Sequence, residues 1–68
     1  MKLSARNVLS GRVVAIKKGV TTANIKIELA RGAVVTASIT MEAARELKLK
    51  KGDRAYAIIK ASDVMVGK

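Results

Sequence analysis

The sequence contains neither cysteine nor histidine, so disulfide staples and ordinary zinc sites are excluded. The same two absences remove most of the parts needed for a nucleophile-base pair or metal-assisted hydrolysis. Carboxylates are scarce as well: Glu28, Glu42, Glu46, Asp53 and Asp63 are the whole set. None is spaced with another as an acid/base pair, and Glu42 and Glu46 read as solvated charges on a helix face beside Arg45. Nothing near Lys60 suggests the cofactor or carbonyl substrate of a Schiff-base lysine. A non-enzymatic protein is expected. Tyr56 is the only aromatic residue, so the chain lacks both a large buried payload and a platform on which bases stack. No apolar run approaches the roughly 18 residues of a membrane span. The opening Met1-Lys2-Leu3-Ser4 lacks the apolar stretch of a signal peptide, so no membrane association and a cytoplasmic location are expected.

What is present is positive charge and small apolar residues. Fourteen Lys plus Arg stand against five acids, a net charge of +9, which favours an anionic partner: nucleic acid, a membrane surface or a small anion. Sixty-eight residues are expected to form one domain, 1–68. A domain of this size buries only about 60% of the surface its unfolded chain exposes. Its apolar residues are mostly Val, Ile, Ala and Leu, so the core is thin, and oligomerisation is the expected stabilising device.

Asn7 to Lys18 (NVLSGRVVAIKK) is a β-branched stretch whose Gly11 marks a bulge or strong bend. After the break at Gly19, Ala23 to Ala30 alternates apolar and polar as a half-buried strand does. Arg31-Gly32 suits a tight hairpin, with Ala33 to Thr40 as the antiparallel return strand. Met41 to Leu49 is rich in helix formers, with Thr40 as N-cap and Glu42 in the first turn, where the dipole favours an acid. Lys50 to Asp53 is a turn, Arg54 to Lys60 a strand, Ala61-Ser62-Asp63 a break and Val64-Met65-Val66 a last apolar segment. The expected fold is therefore mainly β: a five-stranded barrel of the oligonucleotide/oligosaccharide-binding type with one short α-helix, assembled as an oligomer.

Three places concentrate anion chemistry. Ser4 and Arg6 set a hydroxyl and a guanidinium two residues apart, pointing the same way in an extended segment; the alternative is a solvated terminus with Asn7 as a turn former. Lys60-Ala61-Ser62 offers an ammonium, a hydroxyl and approachable backbone N–H groups, a nest for an anion; the alternative is a solvated lysine and an Asx turn around Asp63. Thr40 caps the helix, and its hydroxyl proton remains free to donate to an oxyanion. The basic loop Lys18-Gly19-Val20-Thr21 is a fourth candidate, or simply a solvated hairpin end.

The opening SARN followed by VLSGRV, then KKGVTTA, SIT and the ending LKLKKGDRAYAIIKASDVMV together resemble molbindin, the stand-alone molybdenum-pterin-binding (Mop) domain, over essentially the whole chain. The resemblance implies a hexamer built as a trimer of dimers that binds molybdate or tungstate between subunits, with the metal held as an oxyanion and not ligated directly. It implies one site from Ser4, Arg6, Lys60 and Ala61 or Ser62, with Thr40 supplied by a neighbouring subunit. A second site near a threefold axis maps onto Lys18, Gly19, Val20 and Thr21. The family often has a donor directly after the lysine, whereas here Ala61 intervenes before Ser62, leaving the backbone N–H of Ala61. The implied role is storage or homeostasis of the oxyanion. Two other classes compete: a single-stranded nucleic-acid-binding module, which +9 would serve but one aromatic would not, and a structural oligomer whose basic face meets an acidic protein.

Overall fold

The computed structural model describes residues 2–68. Its elements run β1 (Asn7–Lys18), β2 (Thr22–Glu28), a 3₁₀ turn (Ala30–Gly32), β3 (Val34–Thr40), α1 (Met41–Glu46), β4 (Arg54–Ile59) and a second 3₁₀ turn (Ala61–Asp63). The four strands form one curled antiparallel sheet in the order β3-β2-β1-β4.

β1 explains the curl. Its first half, Asn7 to Arg12, pairs with β4 from Ile59 back to Arg54. Its second half, Arg12 to Lys18, pairs with β2 from Glu28 back to Ala23. The register shifts between Val13 and Ala15, so Val14 is the extra residue of a β-bulge, which bends the strand and increases its twist. The bulge also changes which residues face inward: Val13 is fully buried before it, and Ile16 packs on the core after it. The bend expected at Gly11 therefore lies three residues further on, and Gly11 has a different task. A Cβ there would stand 2.5 Å from the Glu28 carbonyl oxygen and 2.7 Å from a methyl carbon of Ile27, so glycine is required by the close approach of β2.

β2 alternates as its sequence demands, with Ala23, Ile25 and Ile27 buried and the residues between them exposed. Val13, Met41 and Ala57 complete the buried apolar set among the described residues. The β2-β3 hairpin closes with Arg31 and Gly32 both at positive φ, 66° and 82°, and Leu29 donates its N–H to the Ala33 carbonyl at 2.7 Å.

The helix is shorter than its composition suggests. The Thr40 hydroxyl accepts from the Ala43 N–H at 3.0 Å, the capping bond expected of it, but α1 stops at Glu46 and Lys48 turns to φ 52°. The backbone N–H groups of Leu47 and Lys48 close the end on the Ala43 and Arg45 carbonyls. The turn that follows is held by Asp53, whose carboxylate accepts from the Lys50 N–H at 2.9 Å, with Gly52 at φ 97°. Gly52 donates to the Val13 carbonyl and Val13 to that of Asp53, each at 2.8 Å, so this turn is stitched to β1 beside the bulge.

Among the described residues four strands form, not five. Val64-Met65-Val66 runs on from the second 3₁₀ turn outside any strand, with Met65 93% and Val66 94% exposed. Within one chain this segment has no place on the sheet. Among the described residues no helix is long and apolar enough to cross a membrane.

Two substitutions test this account by urea unfolding. Gly11→Ala forces the β1-β2 crossing apart and lowers stability by about 1–3 kcal/mol, whereas an unchanged midpoint would mean that the crossing is not tight. Lys48→Gly removes a side chain from the left-handed region and gains up to about 1 kcal/mol.

Candidate functional site

Antiparallel pairing of β1 with β4 brings the two ends of the chain together. Asn7 is the register partner of Ile59, and its side-chain amide donates to the Ile59 carbonyl at 3.1 Å. One residue outward on each strand stand Arg6 and Lys60. Asn7 thus acts as a cross-strand clamp at this end and not as a turn former. Ser4 precedes Arg6 in the non-strand segment, and Ala61 and Ser62 follow Lys60 in the 3₁₀ turn. Ser4, Arg6, Lys60, Ala61 and Ser62 are all exposed. Lys60 is extended, with φ −65° and ψ 142°, and makes no capping bond to the turn it precedes. Within that turn Asp63 donates its N–H to the Lys60 carbonyl at 2.9 Å and Val64 to that of Ala61 at 3.2 Å. Two cations and two hydroxyls therefore face water at one end of the sheet, a set able to donate to a tetrahedral oxyanion.

Thr40 belongs to the other end. It is the register partner of Thr22, and the next residue, Met41, donates its N–H to the Thr21 carbonyl at 2.9 Å. Thr40 therefore stands beside the Lys18-Gly19-Val20-Thr21 loop, at the far end of the 12-residue β1 from Arg6. That loop is a tight turn, with the Gly19 N–H donating to the Thr22 carbonyl at 2.8 Å. Val20 at its tip is 94% exposed. One chain thus assembles Ser4, Arg6, Lys60, Ala61 and Ser62 in one place and Lys18 to Thr21 with Thr40 in another; it does not join Thr40 to Arg6.

Two arrangements bring in residues that were not singled out from the sequence. Lys18 shares a cleft of about 420 Å³ with Arg45, Lys48 and Lys50 over Met41 and Leu49. The signal in the sequence was the basic run from Lys48, whose convergence with Lys18 depends on the early end of α1. The other cleft, about 300 Å³, lies where β1 changes partners and is lined by Ser10, Arg12, Glu28 and Arg54. These four residues are 44 positions apart at the extremes, with the Arg54 guanidinium donating to the Ser10 hydroxyl oxygen at 2.9 Å. No local motif announces them.

With this geometry in place, the likeness to known proteins is specific. The TOBE domain model matches residues 3–66. A probable molybdenum-pterin-binding protein of Haemophilus influenzae is 48% identical over 67 residues, covering 98% of this chain and 97% of its own length. The structure of a molybdate-binding protein from Sporomusa ovata superposes with a TM-score of 0.94 at 37% identity, covering 100% of both chains. The cytoplasmic molybdate-binding protein ModG, solved with molybdate bound, superposes with a TM-score of 0.92 at 45% identity, over 96% of this chain and 46% of that one. The family model spans nearly the whole chain and the Haemophilus influenzae relative is matched over nearly its full length, so the chain belongs to the TOBE domain family, among its molybdenum-pterin-binding (Mop) members.

Proposed function

We propose that this chain binds molybdate or tungstate reversibly in the cytosol, as a store or buffer, at sites completed between subunits of a hexamer. The observation that carries the proposal is the adjacency of Arg6 and Lys60 across the β1-β4 ladder, with Ser4, Ser62 and the Ala61 N–H beside them and Thr40 at the opposite end. If Thr40 donates to the same anion, it comes from a second copy. Binding is a matter of donors: a dianion leaves water and meets fixed N–H and O–H groups, each charge-assisted bond contributing roughly 1.5–3 kcal/mol. A few of these reach the approximately 8 kcal/mol of micromolar affinity. Cage size would separate molybdate from smaller sulfate. The set contains no carboxylate, so only hydroxyl oxygens could accept the proton that a phosphate carries.

Exposed area supports assembly. A compact monomer of 7.2 kDa should expose roughly 4,100 Å², whereas the chain exposes 5746 Å². The surplus of roughly 1,600 Å² is about twice what one partner contributes to a standard interface, as expected if each chain meets more than one neighbour. Val8, Tyr56 and Ile58 stand exposed on one face of the β1-β4 pair, and Val64, Met65 and Val66 on the tail. The tail is the segment a second copy would cover.

The relatives are named as binding proteins, which supports a binding and not a catalytic role. For the nucleic-acid alternative the surface offers one exposed aromatic, Tyr56, where base stacking calls for several.

Sedimentation at micromolar concentration should give a hexamer; a stable monomer would end the intersubunit model. Six chains at +9 carry 6 × 9 = +54, so bound dianions should stabilise the assembly. Molybdate at about 100 times its Kd should add roughly 2.7 kcal/mol per site and raise Tm, and sodium chloride of equal ionic strength should not. Arg6→Ala and Lys60→Ala should each weaken molybdate binding, measured calorimetrically, at least about tenfold, with Tm of the ligand-free protein unchanged. The double mutant should be non-additive. Unchanged affinity in both single mutants would remove Arg6 and Lys60 from the site.

A further inference from the structure

The geometry points to a separate site for hydrogen phosphate in the cleft where β1 changes partners, built from Arg12, Arg54, Ser10 and Glu28. Arg12 is the register partner of Glu28 on one side and of Arg54 on the other, so the three residues form a row across β2, β1 and β4. Neighbouring strands lie about 4.8 Å apart, which sets the outer two Cα atoms roughly 10 Å from each other. All three residues are exposed and line the same cleft of about 300 Å³.

The arrangement is costly without a ligand. Arg12 has Arg54 opposite it on one side, a like-charge pair that repels across an antiparallel ladder, and Glu28 on the other. Arg54 is nevertheless held in place by the Ser10 hydroxyl oxygen at 2.9 Å. Because that oxygen accepts, its own proton remains free to donate. The cleft is open in part because Gly11 and Gly52 carry no side chains at its wall. A Cβ at Gly11 would strike β2, and Gly52 sits at φ 97°, so both positions hold glycine for structural reasons that also leave the cleft clear.

Charge alone would admit any oxyanion, but Glu28 narrows the class. The cleft offers donors from Arg12, Arg54 and Ser10 on one side and a carboxylate acceptor on the other. Sulfate and molybdate carry no proton at neutral pH and would present only lone pairs to Glu28. Inorganic phosphate keeps at least one proton there and can donate it to the carboxylate while accepting from the guanidinium groups. The groups named for the site around Arg6 and Lys60 are donors, whereas here a carboxylate stands in the same strand row as the two arginines.

The test is titration of the full chain with inorganic phosphate, and separately with sulfate at matched ionic strength, followed through the backbone amide resonances of Gly11, Ala30 and Gly52. Phosphate should move these resonances saturably, with at least about tenfold higher affinity than sulfate. Arg54→Gln should weaken phosphate at least about tenfold, whereas Arg6→Ala should leave it unchanged. Glu28→Ala should abolish the preference for phosphate over sulfate while retaining binding of both. Arg12→Gln serves as a second variant should Arg54→Gln disturb the fold, which the dispersion of the amide spectrum reports. Equal affinities for the two anions in the parent, or a phosphate response that survives both arginine substitutions, would overturn the assignment.

Discussion

Everything in this fold hangs on the backbone ladder of β1. Its 12 residues give one half of their hydrogen bonds to β4 and the other half to β2, with Arg12 paired to both. A strand that divides its partners in this way must bend, and the Val14 bulge supplies the bend while transferring the inward face from Val13 to Ile16. The sheet can then curl over a small apolar interior in which Ile25 and Val13 are the largest fully buried side chains. The turn at Gly52 and Asp53 is bonded to Val13 at the same place. Backbone hydrogen bonding thus carries a share of the specification that a larger core would otherwise supply.

The same ladder decides where charge goes. Four cations converge on the cleft beneath α1 and two face each other at the change of partners, while Arg6 and Lys60 meet where the chain ends come together. With nine more cations than anions, no arrangement of the carboxylates can neutralise all of these places. The binding of anions would offset an excess of this kind and stabilise the fold that binds them. The cost of the excess is self-repulsion, which grows as chains associate.

The proposed donor set and the proposed mixed cleft would differ in selectivity for a simple physical reason. A guanidinium and an ammonium only donate, so they do not discriminate by protonation state, and a hydroxyl, which can donate or accept, adapts to either form. A single carboxylate opposite them does discriminate, because an anion without a proton meets it lone pair to lone pair. Glu28 stands next to Arg12 in the ladder, and its position there follows from strand register alone.

Much of this was legible in the sequence. The alternation from Ala23 marked β2, Thr40 followed by Met41-Glu42 marked the helix start, and Lys50 to Asp53 marked the turn, because period, capping and turn chemistry act over a few residues. The resemblance of SARN and IKAS to the Mop domains was also carried by local strings, and the family assignment agrees with it. The position of the bulge was not legible: Gly11 is the residue that looks like a bend, yet it is held by contact with Ile27 and Glu28, which lie 16 and 17 positions away. The helix end at Glu46 and the free Val64–Val66 segment were missed for different reasons: the chain turns at Lys48 to pack Leu49 on the core, and the tail finds no strand to pair with inside the chain. Sequence by itself determined the elements, the excess of positive charge and the family. Tertiary structure alone decided that Arg6 lies beside Lys60, that Thr40 does not, and that Arg12 faces Arg54, because register across a ladder is a relation between distant residues that no local pattern contains.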